Sequence, residues 1–192
     1  MQSLSTKEMR RTPPIMAESS AEAIIRAAAD TIDLTEWVFT LTTSEYQACS
    51  KDHIAAAATR APDGRRMSIN VERVGHLFVQ HYVEEVAERN RCRLVSVSDS
   101  FGPGVFDQDQ IHVLWEFSVE PIDEATCRFT NYVRVSAVSG WEEALQKQGV
   151  ALEEVQQQTL AGLTAHNAEE TPLFAKDIEN KAIEGRFRAA TL

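Results

Sequence analysis

The clearest pattern in the chain is alternation. In IHVLWEFSVEP, Ile111, Val113, Trp115, Phe117 and Val119 fall on one side and polar residues on most of the other, the signature of a strand with one buried face. CRFTNYVRVSAV repeats it with Cys127, Phe129, Asn131, Val133 and Val135, and the turn-forming PIDEAT lies between. RCRLVSVSDSF reads as the preceding strand, and GPGVFDQDQ as a loop. MSINVERV places Met67, Ile69 and Val71 opposite Ser68, Asn70 and Glu72. After Gly75, as a bulge or a turn, HLFVQHYVEEV sets Leu77, Val79, His81 and Val83 against His76, Phe78, Gln80, Tyr82 and Glu84. DLTEWVFTL also alternates, with Trp37, Phe39 and Leu41 on one face. About six strands are expected.

Helical signals lie at the two ends. The alanine-rich SAEAIIRAAAD reads as a short helix. Residues 43–60 open with capping residues Thr43 and Ser44. HIAAAATRA within them is helical by its alanines or a strand paired across the APDG turn, and alanine's poor strand propensity favours helix. SGWEEALQKQG is a short helix stopped at Gly149. A longer one follows, with Leu152, Val155, Thr159, Leu163 and His166 on one stripe. Pro172 either kinks it or starts a new helix capped by Thr171. The implied fold is α+β: a curved antiparallel sheet followed by a long C-terminal helix that covers its apolar face. Residues 1–19 are expected as a flexible tail, 20–185 as one domain and 186–192 as a flexible C-terminus.

Charge narrows the partners. Twenty-nine acids against 19 Lys and Arg give a formal charge of -10, which argues against nucleic acid and anionic membrane surfaces. No apolar run is long enough for membrane insertion. Three well-separated cysteines fit reduced thiols in a cytoplasmic protein, and no CxxC suggests structural zinc. The expected partner is a small apolar molecule, with no cofactor and no metal. A homodimer through a strand edge or the C-terminal segment is compatible with the pattern.

Candidate chemistry follows from polar residues on apolar faces. His81 is a hydrogen-bonded core residue or a cavity-facing acid/base, and it is the candidate catalytic group. Asn131 on an inward face needs partners for its amide. His166 lies on the stripe of the closing helix, one turn from Glu169 and Glu170, and is solvated or turned towards His81 and Asn131. The expected ligand-binding set is Trp37, Phe39, Val79, His81, Val113, Trp115, Phe117, Phe129, Asn131, Leu163 and His166. Tyr46 and Tyr82 offer phenols without telling positions. Trp141 is expected to pack the short helix on the sheet.

The order of EWVFTL, the meander ending in WEFSVEPIDEATCRFTNYVRV, and LEEVQQQTLAGLTAHNAEE resembles the helix-grip fold of the START/Bet v1-like (SRPBCC) superfamily, from Trp37 to Ile183. The resemblance implies a cavity between sheet and helix and binding, with conversion as an option, of a small, mostly apolar ligand. A polyketide cyclase-type enzyme and a non-catalytic interaction module are the alternatives. NVERVGHLFVQH is also similar to the catalytic domain of Rieske-type ring-hydroxylating oxygenases, whose His-x4-His pair would place mononuclear iron on His76 and His81, with Glu72 upstream. A strand sends residues five apart to opposite faces, so that iron site requires a helix or a bend here.

Overall fold

A computed structural model describes residues 14–102, 108–138 and 140–187. The central feature is a seven-stranded antiparallel sheet: β1 (Ile15–Ile25), β2 (His53–Arg60), β3 (Arg66–Val74), β4 (His76–Ala87), β5 (Arg91–Phe101), β6 (Gln108–Pro121) and β7 (Cys127–Ala137), in the order β1-β7-β6-β5-β4-β3-β2. Helices α1 (Leu34–Thr40) and α2 (Thr43–Cys49) link β1 to β2, and α3 (Trp141–Gln148) precedes α4 (Leu152–Ile183). At 32 residues α4 is about 48 Å long. It lies mainly against β1 and covers the concave face.

The later meander follows the expected pattern, and Gly75, at φ 73°, forms the tight turn between β3 and β4. Three earlier segments differ from expectation. The alanine-rich 20–30 region is largely strand, because ten residues of β1 pair with β7 and the small Ala21 and Ala23 let α4 approach closely. It starts at Ile15, inside the segment expected as a tail, while residues 1–13 lie outside the described residues. DLTEWVFTL is helix, not strand: Asp33 accepts from the Glu36 N–H at 2.9 Å, and Leu34, Trp37, Val38 and Leu41 share one helical stripe. HIAAAATR is the edge strand β2; α2 packs on it, with the Thr43 hydroxyl donating to the Ala56 carbonyl. Pairing and packing override alanine's helix preference in both strands. Losing one expected strand and gaining two gives seven in place of six.

Pro172 neither ends nor restarts α4. At the same turn the Thr171 hydroxyl donates to the Asn167 carbonyl at 2.6 Å. At the C-terminus Phe187 is buried, so ordered chain continues past the expected boundary at 185; residues 188–192 lie outside the described residues. The expected loop at 102–110 falls partly on residues 103–107, also outside them, and its last three residues belong to β6 instead.

One end of the interior is solid. Trp37 makes edge contacts with Phe117 at 5.2 Å and Phe174 at 5.1 Å, and Phe117 stacks on Phe129 at 5.9 Å. Ile25, Ile32, Leu34, Leu94 and Ile178 complete this fully buried block. Trp37 is fixed to α4 by an indole N–H donated to Asp177 at 2.7 Å.

Candidate functional site

At the other end, sheet and helix do not meet. A cavity of about 480 Å³ lies between the inner faces of β3–β7 and the N-terminal half of α4. Met16, Ile111, Val113, Trp115, Val133 and Val135 form its apolar wall. Val155, Gly162 and Leu163 of α4 face them, and Trp141 of α3 lines the cavity as well.

The deep part of the cavity is ionisable. Glu72, Tyr46, Gln80, Tyr82, His166 and Glu170 all line it, and His53 stands directly behind. Register brings the first pair together, because His53 of β2 and Glu72 of β3 are cross-strand partners. Helical periodicity supplies the second, because His166 and Glu170 are one turn apart on α4.

Each acid is held by neutral donors on one side and faces imidazole on the other. Glu72 accepts from the Tyr46 hydroxyl at 2.9 Å through Oε2 and from the Gln80 amide at 2.9 Å through Oε1. Glu170 accepts from the Asn131 amide at 2.9 Å through Oε1, and its Oε2 lies 3.1 Å from His53 Nε2. His53 Nδ1 donates to the Tyr46 carbonyl at 2.7 Å, and the two rings stack with centroids 3.7 Å apart. With Nδ1 so engaged, Nε2 is the nitrogen offered to the carboxylates.

His166 has Nε2 at 3.4 Å from Glu170 and 3.6 Å from Glu72, but neither ring nitrogen closes a hydrogen bond. Burial opposes charge on this ring, yet the two carboxylates outweigh burial and raise its pKa to about 10. Burial also pushes Glu170 upward, but His166 and His53 prevail and hold its carboxyl below the usual range. Burial, reinforced by Glu72 and Glu170, raises both Tyr46 and Tyr82 far above the ordinary phenol range, so both stay protonated. The deep end therefore offers two carboxylates, two imidazoles and two phenols.

The expected residues divide. Val113, Trp115, Leu163 and His166 line the cavity. Asn131 is fully buried behind it; its oxygen accepts from the Trp115 indole at 2.8 Å and its amide donates to Glu170 and Thr171. Trp37, Phe117 and Phe129 belong to the solid block, and Phe39 lies under the Arg66 guanidinium at 4.7 Å. Val79 and His81 are on the outer face of β4, because Phe78, Gln80 and Tyr82 take the inner one. The apolar side of β3 and β4 thus faces outward, and the polar side, Ser68, Asn70, Glu72 and Gln80, is buried. His76 lines the cavity and His81 does not, so the two do not converge on one ion. The chemistry reached from sequence was His166 and its Glu170 neighbour. His53, Tyr46, Gln80 and the role of Glu72 were missed, and only the β2–β3 register could have signalled them.

No protein-family model matches the chain, and no curated protein matches it in sequence. Solved structures do resemble it. The Zhui aromatase/cyclase from Streptomyces sp. R1128 aligns at a TM-score of 0.62 and 10% identity, covering 85% of this chain and 94% of that one. The di-domain ARO/CYC StfQ from the steffimycin biosynthetic pathway gives 0.56 and 10%, over 87% of this chain and 53% of its own. A conserved protein from Geobacillus kaustophilus gives 0.55 and 8%, over 85% and 96%. The chain therefore has the helix-grip fold that these structures share. No helix among the described residues is long and apolar enough to cross a membrane.

Proposed function

We propose that the chain binds a small, mostly apolar molecule in the cavity, with a polar, oxygen-bearing end held at the Glu72–His166–Glu170 cluster. The observation that carries this is a cavity of about 480 Å³ with an apolar wall and buried ionisable groups at its deep end. Such volume and lining are those of small-molecule sites rather than of macromolecular interfaces. A non-catalytic interaction module has less support, because the ionisable groups gather at the cavity and not on the outward apolar side of β3 and β4.

Acid–base conversion of the bound molecule is a second reading. It is favoured by His166 and Glu170, a close imidazole–carboxylate pair that both line the cavity. Two neighbours of the same fold are described as aromatase/cyclases, which makes a cyclisation or dehydration the class to assay first.

The test is binding of the neutral fluorophore N-phenyl-1-naphthylamine by full-length protein, with native mass spectrometry of the same preparation. Gly162 lines the cavity, and a Cβ there meets nothing within 4 Å. Gly162→Phe therefore fills the cavity without straining the helix, and is expected to weaken binding at least tenfold. His81→Ala, on the outer face, is expected to leave binding unchanged. Equal binding by wild type and Gly162→Phe refutes the cavity as the site.

A further inference from the structure

The cluster contains three donor atoms that converge on one point, His53 Nε2, His166 Nε2 and Glu170 Oε2, with Glu72 Oε2 beside both imidazoles. Their separations are 3.1 Å (His53–Glu170), 3.4 Å (His166–Glu170), 3.6 Å (His166–Glu72) and 3.9 Å (His53–Glu72). Donors bound at about 2.0–2.1 Å around a tetrahedral ion stand ~3.4 Å from one another. The ligand atoms of His53, His166 and Glu170 lie within 4.8 Å of one another, and all three residues are buried.

The surroundings support a cation at this point. His166 is 7% exposed, and both its ring nitrogens lie in the interior without a hydrogen bond. A buried polar group without a hydrogen bond is rare; here Nε2 is aimed at Glu72 and Glu170, and Nδ1 faces Asp52 at 3.9 Å. The remaining groups each have an orienting contact of the kind that metal ligands receive: Tyr46 carbonyl for His53, Gln80 for Glu72, Asn131 for Glu170. Two carboxylates and two neutral imidazoles balance the charge of a divalent ion.

We propose that His53, His166 and Glu170 bind a divalent first-row transition metal ion, Zn2+ or Fe2+, at the deep end of the cavity, with the Glu72 carboxylate beside it. The mixed imidazole–carboxylate set suits these ions and excludes the thiolate-seeking ones. The ion faces the cavity, where an oxygen of a bound molecule can complete its coordination. The site stands on the donor geometry alone, and not on the ligand reading. It is also distinct from the His76–His81 pair that the sequence suggested.

The experiment uses the full chain, purified without chelators, for elemental analysis; the same protein is then stripped with EDTA and titrated with Co2+. The expected result is close to one zinc or iron per chain as purified, with visible d–d bands of low-coordinate Co2+ saturating at one equivalent. His166→Gln is expected to weaken Co2+ binding at least ~100-fold, beyond the loss typical of removing a supporting contact. Gln80→Leu, which frees one oxygen of Glu72, is expected to weaken it ~10-fold. Thermal melting of each stripped variant shows whether it folds, and Co2+ is expected to raise the melting temperature most for wild type, less for Gln80→Leu and least for His166→Gln. No Co2+ binding, or equal binding by His166→Gln, overturns the proposal and leaves a proton as the cation between the acids. Fluorophore binding without metal binding would separate this failure from that of the cavity reading.

Discussion

Asn131→Leu tests whether the buried polar network holds the site together. Asn131 is fully buried, and its side chain joins β7 to β6 and α4. Leucine fills nearly the same space but satisfies no partner. The Trp115 indole N–H loses its acceptor at 2.8 Å, and Glu170 loses its Asn131 donor at 2.9 Å. Thr171 loses less, because its hydroxyl still donates to the Asn167 carbonyl. An orphaned buried donor costs about 1–3 kcal/mol and a lost hydrogen bond to a charged group about 1.5–3, so the expected loss is roughly 3–5 kcal/mol. At about 2–4 °C per kcal/mol for a chain of this size, the melting temperature falls by roughly 6–20 °C. Equilibrium urea denaturation at neutral pH is the assay, with a lowered midpoint and an unchanged slope expected. Asn131→Asp is the companion: it keeps the acceptor for Trp115 but sets a second carboxylate against Glu170, and is expected to be at least as destabilising. A loss below about 1 kcal/mol for Asn131→Leu would refute the reasoning, since both partners would then be finding water or each other at little cost.

Two further predictions concern the scaffold. Burial works against the charge of Glu45, but hydrogen bonds from Thr42 and the Lys181 ammonium outweigh it and lower the carboxyl from 4.5 to about 2. A lowered folded-state pKa means stability that is present above pH 4.5 and lost as the pH falls towards 2; Glu45→Gln is therefore expected to be less stable than wild type at pH 7, with the gap narrowing across that window in urea melts. Pro172 is exposed and lies inside α4, where proline removes a backbone donor, so Pro172→Ala is expected to raise stability by up to about 3 kcal/mol. A lower melting temperature for Pro172→Ala would mean that the helix depends on the proline in a way this geometry does not explain.

The sequence by itself determined the elements whose local pattern and tertiary role agree. Strands β6 and β7 alternate, are neighbours in the meander and bury the side that looks apolar, so periodicity sufficed for them. The helix α3 with its Gly149 stop and the long stripe of α4 were legible for the same reason. The fold class followed, and with it the space between sheet and helix. What failed were segments where local preference and tertiary demand conflict. Alanines in β1 and β2 favour helix in isolation, yet there they allow close approach of α4 and α2. The 34–41 segment carries both a two-residue and a helical period, and the Asp33 cap and the Trp37 contact with α4 select the second.

The site depended on tertiary structure most of all. On β3 and β4 the aliphatic residues Ile69, Val71, Leu77 and Val79 face outward, while Glu72, Phe78, Gln80 and Tyr82 take the inner face. An argument that apolar means buried therefore chose the outer side of the strand and, with it, His81, which does not line the cavity. His166 and Glu170 were visible as an i,i+4 pair, since one helix holds both. His53, Tyr46 and Glu72 come from three elements, and the register of an edge strand brings them together. Short-range pattern carries no information about such pairing. Only the folded sheet decides which imidazole meets which carboxylate.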